Sequence, residues 1–179
     1  EERIIGPSLG KENVEAGLTA VIFAFIFVLA FFIVYYKMFG VITCVALLLN
    51  LLLVFAVMSV LGATVTLPGL AAIALTVGMS VDANVLINER IREELRSGNS
   101  PLSSIVAGYD KASGTILDAN VTALLGGVAM FAFGSGPIRG FAVSLCVGIL
   151  ASLYTAVSVS RGISSMIYGG KQKLARLSI

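Results

Sequence analysis

Long uninterrupted apolar runs constrain this chain more than any other feature, because a helix needs about 20 mostly apolar residues to cross a hydrocarbon core roughly 30 Å thick. Five stretches of the sequence meet that length: residues 16–36, 39–61, 67–88, 116–133 and 138–160. Each is expected to be a helix, since an unpaired backbone amide in lipid costs several kcal/mol. The punctuation agrees. Pro68 falls where a first-turn proline is tolerated, and Gly134-Ser135-Gly136-Pro137 marks a tight turn between the fourth and fifth runs.

Composition closes off the alternatives. Of the 179 residues 58% are hydrophobic and 12% charged, with a mean hydropathy of +0.99, whereas soluble domains carry about a quarter charged residues. There is no histidine, hence neither the usual proton shuttle nor the commonest metal ligand. Cys44 and Cys146 lie inside apolar runs and fit neither a zinc spacing nor a disulfide framework. No cofactor is implied, and a net charge of +2 gives no reason to expect nucleic acid as a partner. The environment expected is the lipid bilayer. The chain opens Glu1-Glu2-Arg3, without methionine or a signal-like stretch, and reads as a segment of a longer protein.

Alternating the connections places Lys37, Arg90, Arg92, Arg96, Lys111, Arg161, Lys171, Lys173 and Arg176 on one side, nine of the twelve basic residues. Arg3, Lys11 and Arg139 fall on the other. Basic loops stay in the cytoplasm, so residues 1–15 form an external, periplasmic segment and 161–179 a basic cytoplasmic tail. Residues 16–160 are the transmembrane bundle, with the loop 89–115 cytoplasmic. Within that loop, Glu89-Arg90-Ile91-Arg92-Glu93-Glu94-Leu95-Arg96 continues the third helix with opposite charges at i,i+3 and i,i+4. Gly98-Asn99 ends it. Ser100-Pro101 then reads as the cap and first residue of a short amphipathic helix, with Leu102, Ile105, Val106 and Tyr109 on one face. That helix either lies along the membrane surface or packs beneath the bundle as a connector.

The informative residues are polar groups where lipid makes them expensive. Asp82 lies seven residues before Glu89, about 10 Å inside the helix end at 1.5 Å per residue. A carboxylate there costs roughly 2.5–3.5 kcal/mol on insertion scales. Projected at 100° per residue, Gly78, Asp82 and Glu89 share one face, while Thr76, Ser80, Asn84 and Asn88 form a stripe on another. Such a helix belongs in the middle of a bundle, and Gly78 leaves room for a close neighbour or a water. Asp118, two residues into the fourth run, shares a face with Thr115, Thr122 and Gly126; an acidic residue in a first turn also complements the helix dipole. Apart from Arg139 at the very start of the fifth, no Lys or Arg lies inside any run. Asp82 therefore suits a group that loads and releases a proton as water access changes, or a neutral hydrogen-bonding group between helices. Asp82-Ala83-Asn84-Val85 is echoed by Asp118-Ala119-Asn120-Val121.

Gly6-Pro7-Ser8-Leu9-Gly10, Thr66-Leu67-Pro68-Gly69, Val81-Asp82-Ala83-Asn84-Val85-Leu86-Ile87-Asn88-Glu89-Arg90-Ile91, Asp118-Ala119-Asn120-Val121-Thr122 and Gly134-Ser135-Gly136-Pro137-Ile138-Arg139-Gly140-Phe141-Ala142 follow in an order that resembles the membrane region of the SecD family of bacterial protein-export subunits. The likeness covers essentially the whole chain, to Tyr168-Gly169-Gly170 before the basic tail. It implies an all-α half-bundle of the resistance–nodulation–division type, of which the five spans would be helices two to six. It also implies SecF as a pseudo-symmetric partner half, the SecYEG channel and a translocating preprotein as further partners, and export driven by the proton gradient across the inner membrane. Asp82 matches the family's proton-linked carboxylate, whose basic partner belongs to the SecF side; Asp118 falls in a family motif. Supporting polar and small residues are Gly78, Ser80, Asn84, Asn88 and Thr122. On this reading the chain is a transport accessory subunit and not an enzyme. Two rival readings use the same carboxyls: an exporter of small amphiphiles from the same superfamily, and an intramembrane aspartyl protease pairing Asp82 with Asp118. The protease lacks its Gly-x-Gly-Asp signature here.

Overall fold

A computed structural model describes residues 7–62, 67–169, 177 and 179. Arg3, Gly6, Thr66, Gly170, Lys171, Lys173 and Arg176 lie outside the described residues, as do the side chains of Ser8, Leu9 and Lys11. The architecture is all-helical: α1 (Pro7–Val60), α2 (Leu67–Arg96), α3 (Pro101–Phe133), α4 (Pro137–Leu153), a π-helical turn (Tyr154–Val159) and α5 (Ser160–Tyr168). Among the described residues four helical stretches are long and apolar enough to cross a membrane: Asn13–Val60, Leu67–Arg96, Pro101–Phe133 and Pro137–Tyr168.

The first two apolar runs fall together in the stretch Asn13–Val60, where two helical arms meet at Lys37. Inside α1, Lys37 alone leaves helical geometry, at φ 50° and ψ −116°. The chain folds back there. The Cys44 thiol lies 3.5 Å from the Leu29 carbonyl oxygen, a pair that a straight helix would hold about 22 Å apart at 1.5 Å per residue. Gly40 makes the reversal close: a β-carbon there would stand 1.9 Å from the Phe32 carbonyl oxygen. The arm before Lys37 is sparsely packed, with Phe23, Phe27 and Val34 all exposed. The arm after it carries the buried Phe39, Ile42, Leu47, Val54 and Met58.

The expectation of a separate short helix opening at Ser100-Pro101 is corrected. Ser100 does cap, accepting from the Ser103 amide, with Pro101 in the first turn, but α3 then runs unbroken to Phe133. Nothing between Tyr109 and Thr115 stops it: there is no proline, and Gly114 costs only about 1 kcal/mol in a helix. Tyr109, Ala112 and Ile116 bury one continuous face, so packing carries the helix through. The remaining turns follow their residues. Gly98 closes α2 at φ +89°, and Gly136 caps α4 at φ +51° ahead of Pro137, conformations that glycine adopts without penalty.

Helix α2 is central, packing against α1, α3 and α4. It runs antiparallel to α3: Gly108 abuts Ile91, and twelve residues away in opposite directions Asn120 and Met79 line one hollow. It runs parallel to α4, where Gly148 leaves space for Thr76: a β-carbon on Gly148 would fall 2.5 Å from the Thr76 hydroxyl. Small residues that let helices approach are the usual packing device in lipid. The helix also continues past Ser160. Through the π-helical turn the Ser160 amide reaches the Thr155 carbonyl, and α5 extends to Tyr168.

Candidate functional site

The two polar faces of α2 part company. Thr76, Ser80, Asn84 and Asn88 are 0–3% exposed and point into the bundle. Asn88 donates to the Thr43 hydroxyl of α1 at 3.2 Å, Asn84 to the Ser80 carbonyl at 2.8 Å and Thr76 to the Ile73 carbonyl at 3.0 Å. Gly78 and Asp82 occupy the outward stripe and are exposed. Two hollows meet at Asp82. One, of about 470 Å³, lies between the first arm of α1 (Ala20, Val21, Ala24, Phe25) and α2 (Gly78, Asp82). The other, of about 180 Å³, lies between α2 and α3 and is lined by Asp82, Thr115 and Asn120 among others. Nothing lies within 4 Å of where a Gly78 β-carbon would stand. Among the described residues the Asp82 carboxylate has no hydrogen-bond or ion-pair partner, and no Lys or Arg lines either hollow.

Asp118 is exposed on α3 and lines neither hollow. Thr122 is exposed too, its hydroxyl donating to the Asp118 carbonyl at 3.1 Å. The structure therefore does not gather Asp82 and Asp118 into one cavity. No group of three His, Cys, Asp or Glu residues able to hold a metal occurs among the described residues.

Glu89, expected on the face of Asp82, is engaged elsewhere. Its carboxylate accepts from Tyr36 at 3.0 Å and from Arg92 at 2.9 Å. Arg92 also donates to the Tyr35 carbonyl at 3.1 Å, with its guanidinium 4.6 and 4.8 Å from the Tyr35 and Tyr36 ring centres. Arg90–Glu93 and Arg161–Asp110 pairs stand at the same end of the bundle, whereas Arg139 lies at the other, over Phe131. At the charged end Lys111, with help from Asn99, holds the buried Glu94 carboxyl below the usual carboxylate range.

Thr43 and Tyr36 carried no sequence signal of their own, and Tyr109 only that of one face of an amphipathic helix. The buried Tyr109 hydroxyl bonds Ser160 at 2.5 Å and Ser164 at 3.0 Å. The i,i+4 spacing of those serines was the only available hint.

A family profile described as "Protein export membrane protein SecD/SecF, C-terminal" matches residues 1–169. The chain belongs to the SecD/SecF family. It is 48% identical over 179 residues to the protein translocase subunit SecD of Calditerrivibrio nitroreducens, covering 100% of this chain and 34% of that one. It is 51% identical over 173 residues to the SecD of Haemophilus influenzae, covering 96% and 28%. The chain thus spans about a third of these SecD relatives. The crystal structure of SecDF from Thermus thermophilus, a translocon-associated membrane protein, superposes with a TM-score of 0.88 at 35% identity, over 97% of this chain and 24% of that one. The fold expected from the SecD/SecF likeness is thereby supported at the level of an all-helical membrane bundle.

Proposed function

We propose that this chain is the membrane part of a SecD-type subunit, working with SecF and the SecYEG channel to drive preproteins across the bacterial inner membrane at the expense of the proton gradient. On this reading α1 crosses twice, reversing at Lys37, so that five crossings correspond to family helices two to six. The clustering of Lys37, Arg90, Arg92, Arg96, Lys111 and Arg161 at one end supports a cytoplasmic location for that end, with residues 1–15 periplasmic and 161–179 a cytoplasmic tail. The first turns of α3 then stand in the cytoplasm as an extension of the span.

The observation that carries the reading is Asp82 itself: a carboxylate on a spanning helix, opening onto two hollows that no described Lys or Arg lines, beside a glycine with free space around it. A charge at that depth is tolerated when it faces a partner or a water-filled passage, so the stripe of Gly78 and Asp82 is where the SecF half would dock. Gradient energy of about 2.3 kcal/mol per elementary charge per 100 mV is enough for one or two protons to shift a two-state packing equilibrium of ordinary size. Protonation of Asp82 removes its charge and with it the pairing that favours one packing of the halves. The small-amphiphile exporter is the weaker alternative, given relatives named translocase subunits; the protease loses its dyad because Asp118 shares no hollow with Asp82.

Docking is tested with Gly78→Cys in the full-length protein, scanning for disulfides to cysteines placed along the membrane helices of co-expressed SecF. Cross-linking at Gly78, with none from a cysteine at the lipid-facing Phe27, is expected. Co-purification of the two subunits with no cross-link near Gly78 would overturn this placement.

A further inference from the structure

Five buried side-chain atoms among the described residues lack a hydrogen-bond partner: Asn50 Oδ1, Ser80 Oγ, Ser104 Oγ, Asn120 Oδ1 and Ser152 Oγ. Four of them, one each from α1, α2, α3 and α4, stand at one level of the bundle. The contacts between helices fix this. Thr43 meets Asn88, so seven residues further along antiparallel helices Asn50 stands level with Val81. Thr76 meets Gly148, so one turn on along parallel helices Ser80 stands beside Ser152. Gly127 meets Cys146, which sets Asn120 level with Leu153. Met58 meets Ser144, which sets Asn50 level with Ser152. The four residues are 0–4% exposed, and their level is that of Asp82.

An unpaired buried amide or hydroxyl costs about 1–3 kcal/mol, and four from four different helices at one height are satisfied together most economically by shared water. Buried waters occupy such polar sites and bind about three partners each. An entry exists: Asn120 lines the α2–α3 crevice together with Asp82 and Thr115.

We infer that Asn50, Ser80, Asn120 and Ser152 hold a cluster of ordered waters behind α2, and that Asn120 joins this cluster through the crevice to Asp82 as its route of proton exchange. The inference rests on the proton-linked role proposed for Asp82. In the step, a crevice water transfers one proton to the carboxylate and receives one from the next water, so only O–H bonds change. Among the described residues no other titratable group faces Asp82 across either hollow. The first arm of α1 offers alanines, valines and Phe25, α3 offers Thr115, Ile116, Ala119 and Asn120, and α4 lines neither. Glu89 on α2 is held by Arg92 and Tyr36, and Asp118 stands outside the crevice. Asn120 is a positioning residue here.

The test uses the full-length protein with its partner subunits in proteoliposomes, comparing gradient-driven export for Asn120→Leu, Ser80→Ala, Asn120→Thr and the control Ser104→Ala. Asn120→Leu and Ser80→Ala are expected to slow export about tenfold or more, within the range a positioned proton relay supplies, and to enlarge its slowing in deuterium oxide. Asn120→Thr, which keeps an acceptor, restores most of the rate, and Ser104→Ala leaves it unchanged. Rates and isotope effects that stay at wild-type level in Asn120→Leu, while Asp82→Asn abolishes coupling, overturn the water route alone. Coupling intact in Asp82→Asn overturns the role of Asp82 and this inference with it. Should a variant fail to fold, hydroxyl-radical labelling of the wild-type complex decides: rapid labelling of Met79 in the crevice, with Met58 protected, supports the cluster, and protection of both removes it.

Discussion

Replacing Tyr109 by Phe removes one hydroxyl and nothing else, at a point where α3 is fastened to α5. That hydroxyl is buried, Tyr109 being 1% exposed, and it meets two partners, Ser160 and Ser164. Interhelical hydrogen bonds in membrane bundles average about 0.6 kcal/mol and reach about 1.7, so two such bonds total about 1.2 kcal/mol. Stranding two buried serine hydroxyls would add about 1–3 kcal/mol for each left unpaired, but both can turn to a carbonyl one turn earlier. The expected loss is therefore about 1–2 kcal/mol. The assay is reversible unfolding in mixed micelles with increasing denaturing detergent, run as a cycle with the Ser160→Ala, Ser164→Ala double variant. If the bonds are as described, Tyr109→Phe costs little further once both serines are gone, leaving a coupling energy of about 1 kcal/mol. An unchanged Tyr109→Phe midpoint, or full additivity in the cycle, would refute the reasoning.

Other consequences follow from particular contacts. Lys37→Gly removes a side chain from a left-handed conformation that costs about 1–3 kcal/mol in a non-glycine residue, so the same unfolding assay should show a stabilised protein. Gly148→Leu forces a side chain into Thr76 and should destabilise by about 3 kcal/mol or more, since overpacking a well-filled contact costs about 1–3 kcal/mol for far smaller additions; an unchanged midpoint would mean that α2 and α4 do not touch there. The Glu94 carboxyl is held below its ordinary value by Lys111, so its stabilising contribution is present above that ordinary value and is lost as pH falls through the lower folded one. Glu94→Gln should therefore lose stability at neutral pH and flatten the acid side of the stability–pH curve. Thermal unfolding between pH 3 and 7 checks both parts.

Much of this was legible because lipid leaves the backbone few choices. The apolar runs gave the helices, Ser100-Pro101 and Gly134-Ser135-Gly136-Pro137 gave their ends, and the polarity of α2 gave its central position. What escaped had physical reasons. The reversal turns on Lys37 itself, with no glycine or proline at that position, and the close packing of Gly40 on Phe32 accompanies it. The continuity of α3 through residues 109–116 comes from tertiary burial, which local sequence does not display. The π-helical turn at Tyr154–Val159 has no composition of its own. Helical projection separated the Asp82 face from the Asn84 face, yet only the packed bundle tells which one this chain covers for itself. It covers the asparagines and leaves the aspartate open. Likewise Asn50 reads as an ordinary polar residue in an apolar run until three other helices bring unpaired atoms to its level.

The most direct measurement is gradient-dependent export by proteoliposomes carrying the full-length protein with Asp82→Asn, its partner subunits and the channel. The prediction is normal assembly, with the imposed proton gradient no longer accelerating export. Acceleration equal to that of the unaltered protein would contradict the central claim.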